Sequence, residues 1–127
     1  MIFYHSLKNK YPSGAVTDNQ TIFIQVKVTK ETHLSSIQLV LKEDLTQTTS
    51  IYHPSRSTIE ADATLFSFEI SPLQSGLYFY YFEVRSEIGT YYLSNHEFQA
   101  VPVLNYHEIN SWQLTVYENQ FTTPERF

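Results

Sequence analysis

Apolar and polar side chains alternate with a period of two residues over much of this chain. The clearest stretch lies between Gly76 and Arg85, where Tyr78, Tyr80 and Phe82 fall on one face of an extended segment. Successive side chains of a β-strand point to opposite faces, so this period predicts strands with one buried face. The same alternation predicts strands at residues 21–28, 36–42, 65–70, 90–93 and 112–117, with shorter strands near residues 2–5 and 50–52.

The predicted strands follow one another without intervening helices. No segment shows a convincing 3.6-residue apolar period, although residues 57–63 could form a brief helical turn. Short strands separated by turns favour an antiparallel sandwich over a parallel α/β sheet. We therefore predict an all-β fold, an immunoglobulin-like antiparallel β-sandwich of about seven to eight strands. Residues 71–78, a turn leading into a strand headed by Tyr78, resemble the corner that many such sandwiches use.

One long segment, residues 94–111, joins two of the predicted strands and contains Pro102 and two histidines. Connections of this length are uncommon in compact domains unless they carry structure or function of their own. Two interpretations stay open. Either residues 97–103 form an edge strand, or the segment is an ordered surface loop that acts as a contact region.

The charge of the chain limits its partners. Its 127 residues carry a formal net charge of −5, and the eight basic residues never cluster. A nucleic acid or an anionic membrane surface requires a basic patch, so we predict neither partner. No run of about eighteen apolar residues is present to span a bilayer. The absence of cysteine, together with a first segment unlike a secretory signal, predicts a cytoplasmic protein without disulfides.

Catalytic motifs are missing from the sequence. Glycosidases need two facing carboxyl groups, one of them held protonated by its surroundings, but the thirteen acidic residues occupy turns or the polar side of predicted strands. The five histidines lack the close spacing of metal-ligand pairs. The three glycines form no phosphate-binding loop, and no G-x-S-x-G motif occurs. We predict a non-catalytic chain that holds no metal and no cofactor.

Several aromatic side chains lie outside the predicted core. On the most strongly alternating strand Phe79 and Tyr81 face outward, and Tyr91 and Tyr92 on the neighbouring arm divide between the two faces. Aromatic rings stack on the apolar faces of sugars, and they are also enriched where proteins pack together. These four residues are our candidates for carbohydrate binding or domain packing, with packing favoured. Trp112, in phase with the apolar residues of the last strand, is expected in the core.

Three groups of residues, taken in this order and spacing, resemble one protein family. The first is Tyr4-His5 with Tyr11-Pro-Ser-Gly-Ala-Val16, the second is Gly76-Leu-Tyr-Phe-Tyr-Tyr-Phe82 with Gly89-Thr-Tyr-Tyr92, and the third is Trp112-Gln-Leu-Thr-Val-Tyr117 with an exit through Phe121, Pro124 and Phe127. Together they resemble the N-terminal β-domain of α-amylase-family glycoside hydrolases (family 13), of the neopullulanase, cyclomaltodextrinase and α-amylase type. Two features depart from the family pattern. Phe79 stands where the family often has tryptophan, and residues 94–111 lack the glycine-rich composition common there.

The resemblance implies a two-part organisation. Residues 1–117 would form the N-terminal β-sandwich domain, and residues 118–127 would be a linker to a catalytic (β/α)8 barrel absent from this chain. The whole enzyme would hydrolyse α-glucosidic bonds in starch, maltodextrins or cyclodextrins, with catalytic carboxylates that lie in the barrel. The domain itself would pack against the barrel, help to form a homodimer that narrows the active site, or hold α-glucan.

Three alternatives stay beside this interpretation. The domain could be a genuine carbohydrate-binding module for starch and maltodextrin, with Phe79 or Tyr81 as its sugar contacts. A self-standing immunoglobulin-like adhesion domain is disfavoured by the lack of cysteines and of a secretory signal. An enzyme in its own right is the least favoured, because no catalytic motif supports it.

Overall fold

The computed structural model describes residues 2–4, 8–30, 34–87, 89–93, 98–99 and 111–118. Twelve β-strands and no helix occur in these ranges. In chain order they are β1 (Ile2–Phe3), β2 (Lys10–Tyr11), β3 (Val16–Thr17), β4 (Ile22–Thr29), β5 (Leu34–Glu43), β6 (Thr49–Tyr52), β7 (Arg56–Ile59), β8 (Ala63–Ile70), β9 (Gly76–Ser86), β10 (Gly89–Leu93), β11 (Phe98–Gln99) and β12 (Trp112–Tyr117). The all-β prediction is confirmed. The number of strands exceeds the prediction because the eight predicted strands do not include β2, β3, β7 and β11, three of which are only two residues long.

The strands form two sheets. The five-stranded sheet has the order β1-β4-β8-β7, and β2 also pairs with β4. In the seven-stranded sheet β11-β10-β9-β12-β3 form one path, and β5 pairs with both β9 and β6. The described pairings are antiparallel except that of β12 with β3, which is parallel. The architecture is therefore a β-sandwich, with one departure from purely antiparallel order in the described part.

The parallel pair arises because the chain changes sheets near its start. β2 pairs with β4 in the five-stranded sheet, whereas β3 pairs with β12 in the seven-stranded sheet. Pro12 and Gly14 lie in the connection between β2 and β3. Gly14 has φ of 73°, a left-handed conformation that glycine adopts without a steric cost. This turn thus marks the crossing of the chain from one sheet to the other.

The core lies between the two sheets and is formed by the faces that the alternation predicts. The core residues of the long strands include Ile22, Ile24, Val26, Val28, Ile37, Leu39, Leu41, Phe68, Ile70, Tyr78, Tyr80, Phe82, Val84, Leu93, Trp112, Leu114 and Val116. The register keeps these faces aligned, since Ile24 pairs with Phe68 within one sheet and Leu39 pairs with Phe82 within the other. Burial of apolar surface stabilises a fold by roughly 25 cal/mol per Å², so this layer is the main source of stability.

Aromatic rings fill one part of the core. Trp112 stacks on Tyr80 with ring centroids 5.6 Å apart, and Tyr4 meets Trp112 edge-on at 4.9 Å. Phe82 is fully buried, and its ring centroid lies 5.0 Å from that of Tyr4 and 5.7 Å from that of Phe68. Edge-on and offset contacts of this kind add stability beyond the burial of area. The predicted core position of Trp112, which is only 7% exposed, is confirmed.

Two tyrosine hydroxyls meet within this aromatic layer. The Tyr4 and Tyr80 hydroxyl oxygens are 2.6 Å apart and share a hydrogen bond in which either group can donate. Burial raises the pKa of Tyr80 to about 12. Burial, reinforced by the neighbouring Tyr80, also raises the pKa of Tyr4 well above its ordinary value. Both hydroxyls are therefore held in their neutral form, because an ionised phenolate would lose its hydration there.

The turn before β9 contains a tyrosine corner. The Tyr78 hydroxyl donates a hydrogen bond to the backbone carbonyl of Gln74, with an oxygen–oxygen distance of 2.8 Å. A tyrosine at the start of a strand that bonds backward to the preceding turn is typical of immunoglobulin-like sandwiches. This finding confirms the interpretation of residues 71–78 as a corner.

Replacing Tyr78 with phenylalanine should lower the free energy of unfolding by about 1 kcal/mol, because the Gln74 carbonyl loses its donor while the ring is kept. Urea denaturation followed by fluorescence measures this change. Tyr117→Phe is the matched control, since the Tyr117 ring is 58% exposed and its variant should unfold as the wild type does. Equal stability of the Tyr78→Phe variant and the wild type would show that the corner adds nothing.

The helical turn considered for residues 57–63 is not formed. Residues 56–59 instead form β7, which pairs antiparallel with β8 from Arg56↔Ser67 to Ile59↔Thr64. Pairing with β8 satisfies the backbone polar groups of β7. A short helix with so little apolar surface would have no face to pack against the core. In the long segment, Phe98 and Gln99 form β11 against β10, as the edge-strand interpretation anticipates. Its other residues up to 110, and residues 119–127 of the predicted linker, lie outside the described ranges.

Candidate binding surfaces

Phe79, Tyr81 and Tyr92, three of the aromatic residues singled out from the sequence, lie on the outer face of the seven-stranded sheet. Phe79 is partly buried, and the register places it opposite Lys42 of β5 and Gln113 of β12. Tyr91 pairs with Val84 through the backbone, while its side chain lies outside the described part of the chain. Phe79 is therefore the accessible member of the predicted set among the side chains that the structure describes.

Tyr81 and Tyr92 are not exposed, contrary to the prediction for Tyr81. Their relative exposures are 8% and 2%, and their ring centroids lie 5.6 Å apart in an edge-on contact. Together with Val40 they form a second, small hydrophobic cluster on the outer side of the sheet. The Tyr92 hydroxyl also donates to a carboxylate oxygen of Glu83 at 3.4 Å. Alternation identifies the face on which a side chain lies, but neighbours on that face determine whether it is covered.

A second surface lies on the outer face of the five-stranded sheet and was not predicted from the sequence. Tyr11 of β2 pairs directly with Phe23 of β4, and both rings are exposed, at 72% and 47%. Phe23 in turn pairs with Glu69 of β8. These three residues form a row across adjacent strands, which lie about 4.8 Å apart in a sheet. Aromatic side chains thus occupy a face that the alternation predicts to be polar.

A polar row runs beside the aromatic one. Gln25 of β4 pairs with Ser67 of β8, and Ser67 pairs with Arg56 of β7. The backbone amide of Gln25 donates to the carbonyl of Asn9 at 2.9 Å, which places Asn9 at the other end of this row. Since Gln25 follows Phe23 by two residues, the two rows are about 7 Å apart.

The two rows line an open groove with a volume of about 550 Å³. We call it the aromatic groove and define it by Tyr11, Phe23, Gln25, Arg56 and Glu69. Lys8, Asn9, Ser55 and Ser67 complete the rim. The groove thus brings two exposed aromatic rings and several polar side chains together on one concave surface. The signal that could have found it is Phe23, an aromatic residue in the polar phase of the 21–28 alternation.

Lys10 anchors the strand that carries Tyr11. It pairs with Ile24 on the core side and is only 6% exposed. Its Nζ donates to the backbone carbonyl of Pro12 at 2.6 Å and to that of Gly14 at 2.7 Å. Burial lowers the pKa of the Lys10 ammonium, because the charged form loses hydration. The two hydrogen bonds tie the turn to β2 and so hold the adjacent Tyr11 in position.

Other kinds of site are not evident in the described part of the chain. Within those ranges no three histidine, aspartate or glutamate side chains are grouped as a metal would require. His53 is the histidine that the structure describes, and the other four lie outside those ranges. None of the described residues belongs to a helix long and apolar enough to cross a membrane.

Comparison of the sequence with protein-family models and with curated proteins finds no match. Solved structures do match the fold. A cyclomaltodextrinase superposes with a TM-score of 0.63 at 10% sequence identity, over 87% of this chain and 18% of that one. A maltogenic amylase from S. marinus superposes with a TM-score of 0.49 at 16% identity, over 86% of this chain and 14% of that one.

The likeness to the cyclomaltodextrinase concerns the fold, since 10% identity is too low to carry function. The chain spans less than a fifth of the length of either matched structure. What the cyclomaltodextrinase shares with this chain is therefore one β-sandwich within a much longer polypeptide.

Proposed function

We propose that this chain is a non-catalytic N-terminal accessory domain of an α-glucan-degrading glycoside hydrolase of the α-amylase, neopullulanase or cyclomaltodextrinase type. The observation that supports it most is the sandwich fold shared with a cyclomaltodextrinase over 87% of this chain but only 18% of that enzyme. The three residue groups that resemble the family add independent support. In this proposal residues 1–117 form the domain, and residues 118–127 lead to a catalytic barrel in the same polypeptide.

The domain would act by packing, and the seven-stranded sheet offers a suitable surface. Phe79 is partly buried on its outer face, and Ile51 on β6, which pairs with Val40 of β5, is 56% exposed. The buried pair Tyr81 and Tyr92 packs on the same outer face. We propose that it contacts the barrel or a second subunit, and in that way shapes the substrate site. Tyr91 remains a predicted candidate for binding or packing. The cytoplasmic location of the protein also remains a prediction.

A carbohydrate-binding module for starch or maltodextrin is the second candidate function. The observation that favours it is the aromatic groove rather than the Phe79 surface, because Tyr11 and Phe23 expose their rings while Tyr81 does not. A weak binder tethered beside a barrel would raise the local concentration of substrate. The two functions are compatible, since they use opposite faces of the sandwich.

An antibody raised against residues 1–117 tests the proposed organisation. The aligned 87% of these 127 residues makes up 18% of the cyclomaltodextrinase, which is therefore about 600 residues long. Cells that express this chain should accordingly yield an immunoreactive polypeptide of about that length, and preincubation with the purified 127-residue chain should block the signal. A single band at the 14.9 kDa of the chain itself would contradict an accessory domain joined to a barrel.

A further inference from the structure

We propose that the outer edge of β7 pairs with β7 of a second copy of this chain, antiparallel and in a register centred on Thr58. The five-stranded sheets of the two copies then form one continuous sheet across the contact. This pairing does not rest on the proposed function, because it involves neither a barrel nor the Phe79 face of the other sheet.

The edge of the five-stranded sheet at β7 is open. β7 ends the strand order β1-β4-β8-β7, and in the described part of the chain β8 is the strand it pairs with. Residues 55–62 are all exposed, and the apolar side chain of Ile59 is 76% exposed. An uncovered edge presents backbone N–H and C=O groups to which another strand can bind. β7 can therefore accept an added strand.

The hairpin that joins β7 to β8 determines which backbone groups point outward. The Glu60 amide donates to the Ala63 carbonyl at 2.7 Å, next to the turn. In an antiparallel pair such bonded positions alternate with positions whose N–H and C=O point away from the partner strand. Counting back from Glu60, Thr58 bonds to β8, whereas Ser57 and Ile59 direct their N–H and C=O groups outward.

Twofold symmetry and these outward groups select one register. Two identical surfaces that bind each other form an isologous contact, in which each residue pair occurs twice. With Thr58 opposite its own copy, Ser57 lies opposite Ile59 of the second copy, and the two residues exchange backbone hydrogen bonds on both sides of the axis. Centring the register on Ser57 or on Ile59 leaves only one such pair within β7. The register centred on Thr58 therefore makes the most hydrogen bonds.

The side chains of β7 are complementary in the same register. Arg56 lies opposite Glu60 of the second copy, so a pair of opposite charges forms on each side of the axis. Exposed ion pairs add little affinity, but like charges at these positions would oppose the pairing, so the charges specify the register. Ile59 lies beside Ser57 of the second copy, where part of its apolar surface is removed from water.

The expected complex is a weak dimer. A strand of four residues buries far less surface than a standard protein interface, so association should require high protein concentration. At such concentrations the NMR signals of the Ser57 and Ile59 amides should shift with concentration of the 127-residue chain. Its translational diffusion should slow over the same range, toward that of a dimer.

A charge exchange between two variants tests the register. Arg56→Glu and Glu60→Arg should each weaken dimerisation by about tenfold or more, because each places like charges opposite one another on both sides of the axis. An equimolar mixture of the two variants should associate as the wild type does, since every charge in the mixed pair again faces its opposite. Arg85→Glu is the matched control, because it alters an exposed charge on the other sheet and should keep the dissociation constant within about twofold.

A proline substitution tests the backbone contact independently of charge. Ile59→Pro removes an outward N–H group and leaves the bonds of Thr58 and Glu60 to β8 in place, since proline is tolerated where the N–H of an edge strand faces solvent. It should weaken dimerisation by about tenfold, because one hydrogen bond is lost on each side of the axis.

Other outcomes would overturn the proposal. Signals that stay unchanged up to millimolar concentration would show that β7 does not pair. Concentration-dependent shifts at Tyr11 and Phe23, or at Phe79, would assign self-association to a sheet face instead. Association of the mixed variants no tighter than that of either variant alone would disprove the register centred on Thr58. None of these results affects the size of the immunoreactive polypeptide, which tests the accessory-domain proposal separately.

Discussion

Replacement of Phe82 by alanine is expected to lower the free energy of unfolding by about 3–5 kcal/mol. Phe82 is fully buried, and its ring contacts those of Tyr4, Phe68 and Trp112. Truncation removes these contacts and leaves a cavity between the two sheets that a close-packed core cannot fill. Because domains of this size are stable by only about 5–15 kcal/mol, the variant should lose a large share of its stability. Urea denaturation measures the loss.

The matched control is Phe79→Ala on the same strand. Phe79 faces outward and is only partly buried, so the same truncation should cost about 1 kcal/mol. If Phe82→Ala does not fold, Phe82→Leu keeps the comparison, with an expected loss of about 1–2 kcal/mol. Equal losses for the two positions would contradict the assignment of inner and outer faces on β9.

Alkaline pH should destabilise the protein through the buried pair Tyr4 and Tyr80. Below pH 10 both hydroxyls are neutral in the folded and the unfolded chain, so their full contribution to the free energy of unfolding is present. Above pH 10 the unfolded chain releases protons, while folded Tyr80 keeps its proton up to a pKa of about 12. Stability therefore falls as pH rises from 10 to 12, by about 3 kcal/mol for Tyr80 alone. The raised pKa of Tyr4 acts in the same direction.

The free energy of unfolding in urea, measured across this pH range, tests the tyrosine pair. In Tyr80→Phe the decline should be shallower, because one of the two buried hydroxyls no longer titrates. Tyr117→Phe serves as the control, since it also removes one tyrosine hydroxyl but from a ring that is 58% exposed. Identical pH profiles for the wild type and Tyr80→Phe would show that the Tyr80 hydroxyl is not buried as described.

The sequence predicts much of this fold because period-two alternation carries direct information about burial. It assigns Ile22, Tyr80 and Phe82 to the inner faces, where the structure places them. Tyr78 could be predicted as a corner residue because both partners of its hydrogen bond lie within five residues of the chain. Local patterns of this kind need no knowledge of which strands pair.

Features that depend on strand pairing could not be predicted in the same way. The burial of Tyr81 results from its contact with Tyr92 on another strand. The aromatic groove exists because Tyr11 and Phe23, twelve residues apart, are register partners across β2 and β4. The parallel pairing of β3 with β12 joins Val16 to Val116, which are 100 positions apart in the chain. Each required the long-range register, which a single sequence does not provide.

The hydrolytic activity of the polypeptide captured by the antibody decides whether this chain belongs to an α-glucan hydrolase. Incubated with maltoheptaose or β-cyclodextrin, it should release reducing sugar, and the purified 127-residue chain should release none under the same conditions. That result would establish an accessory domain joined to an α-glucan hydrolase. Release of sugar by the 127-residue chain would contradict the non-catalytic assignment, and a long captured polypeptide inactive on both substrates would contradict the α-glucan assignment.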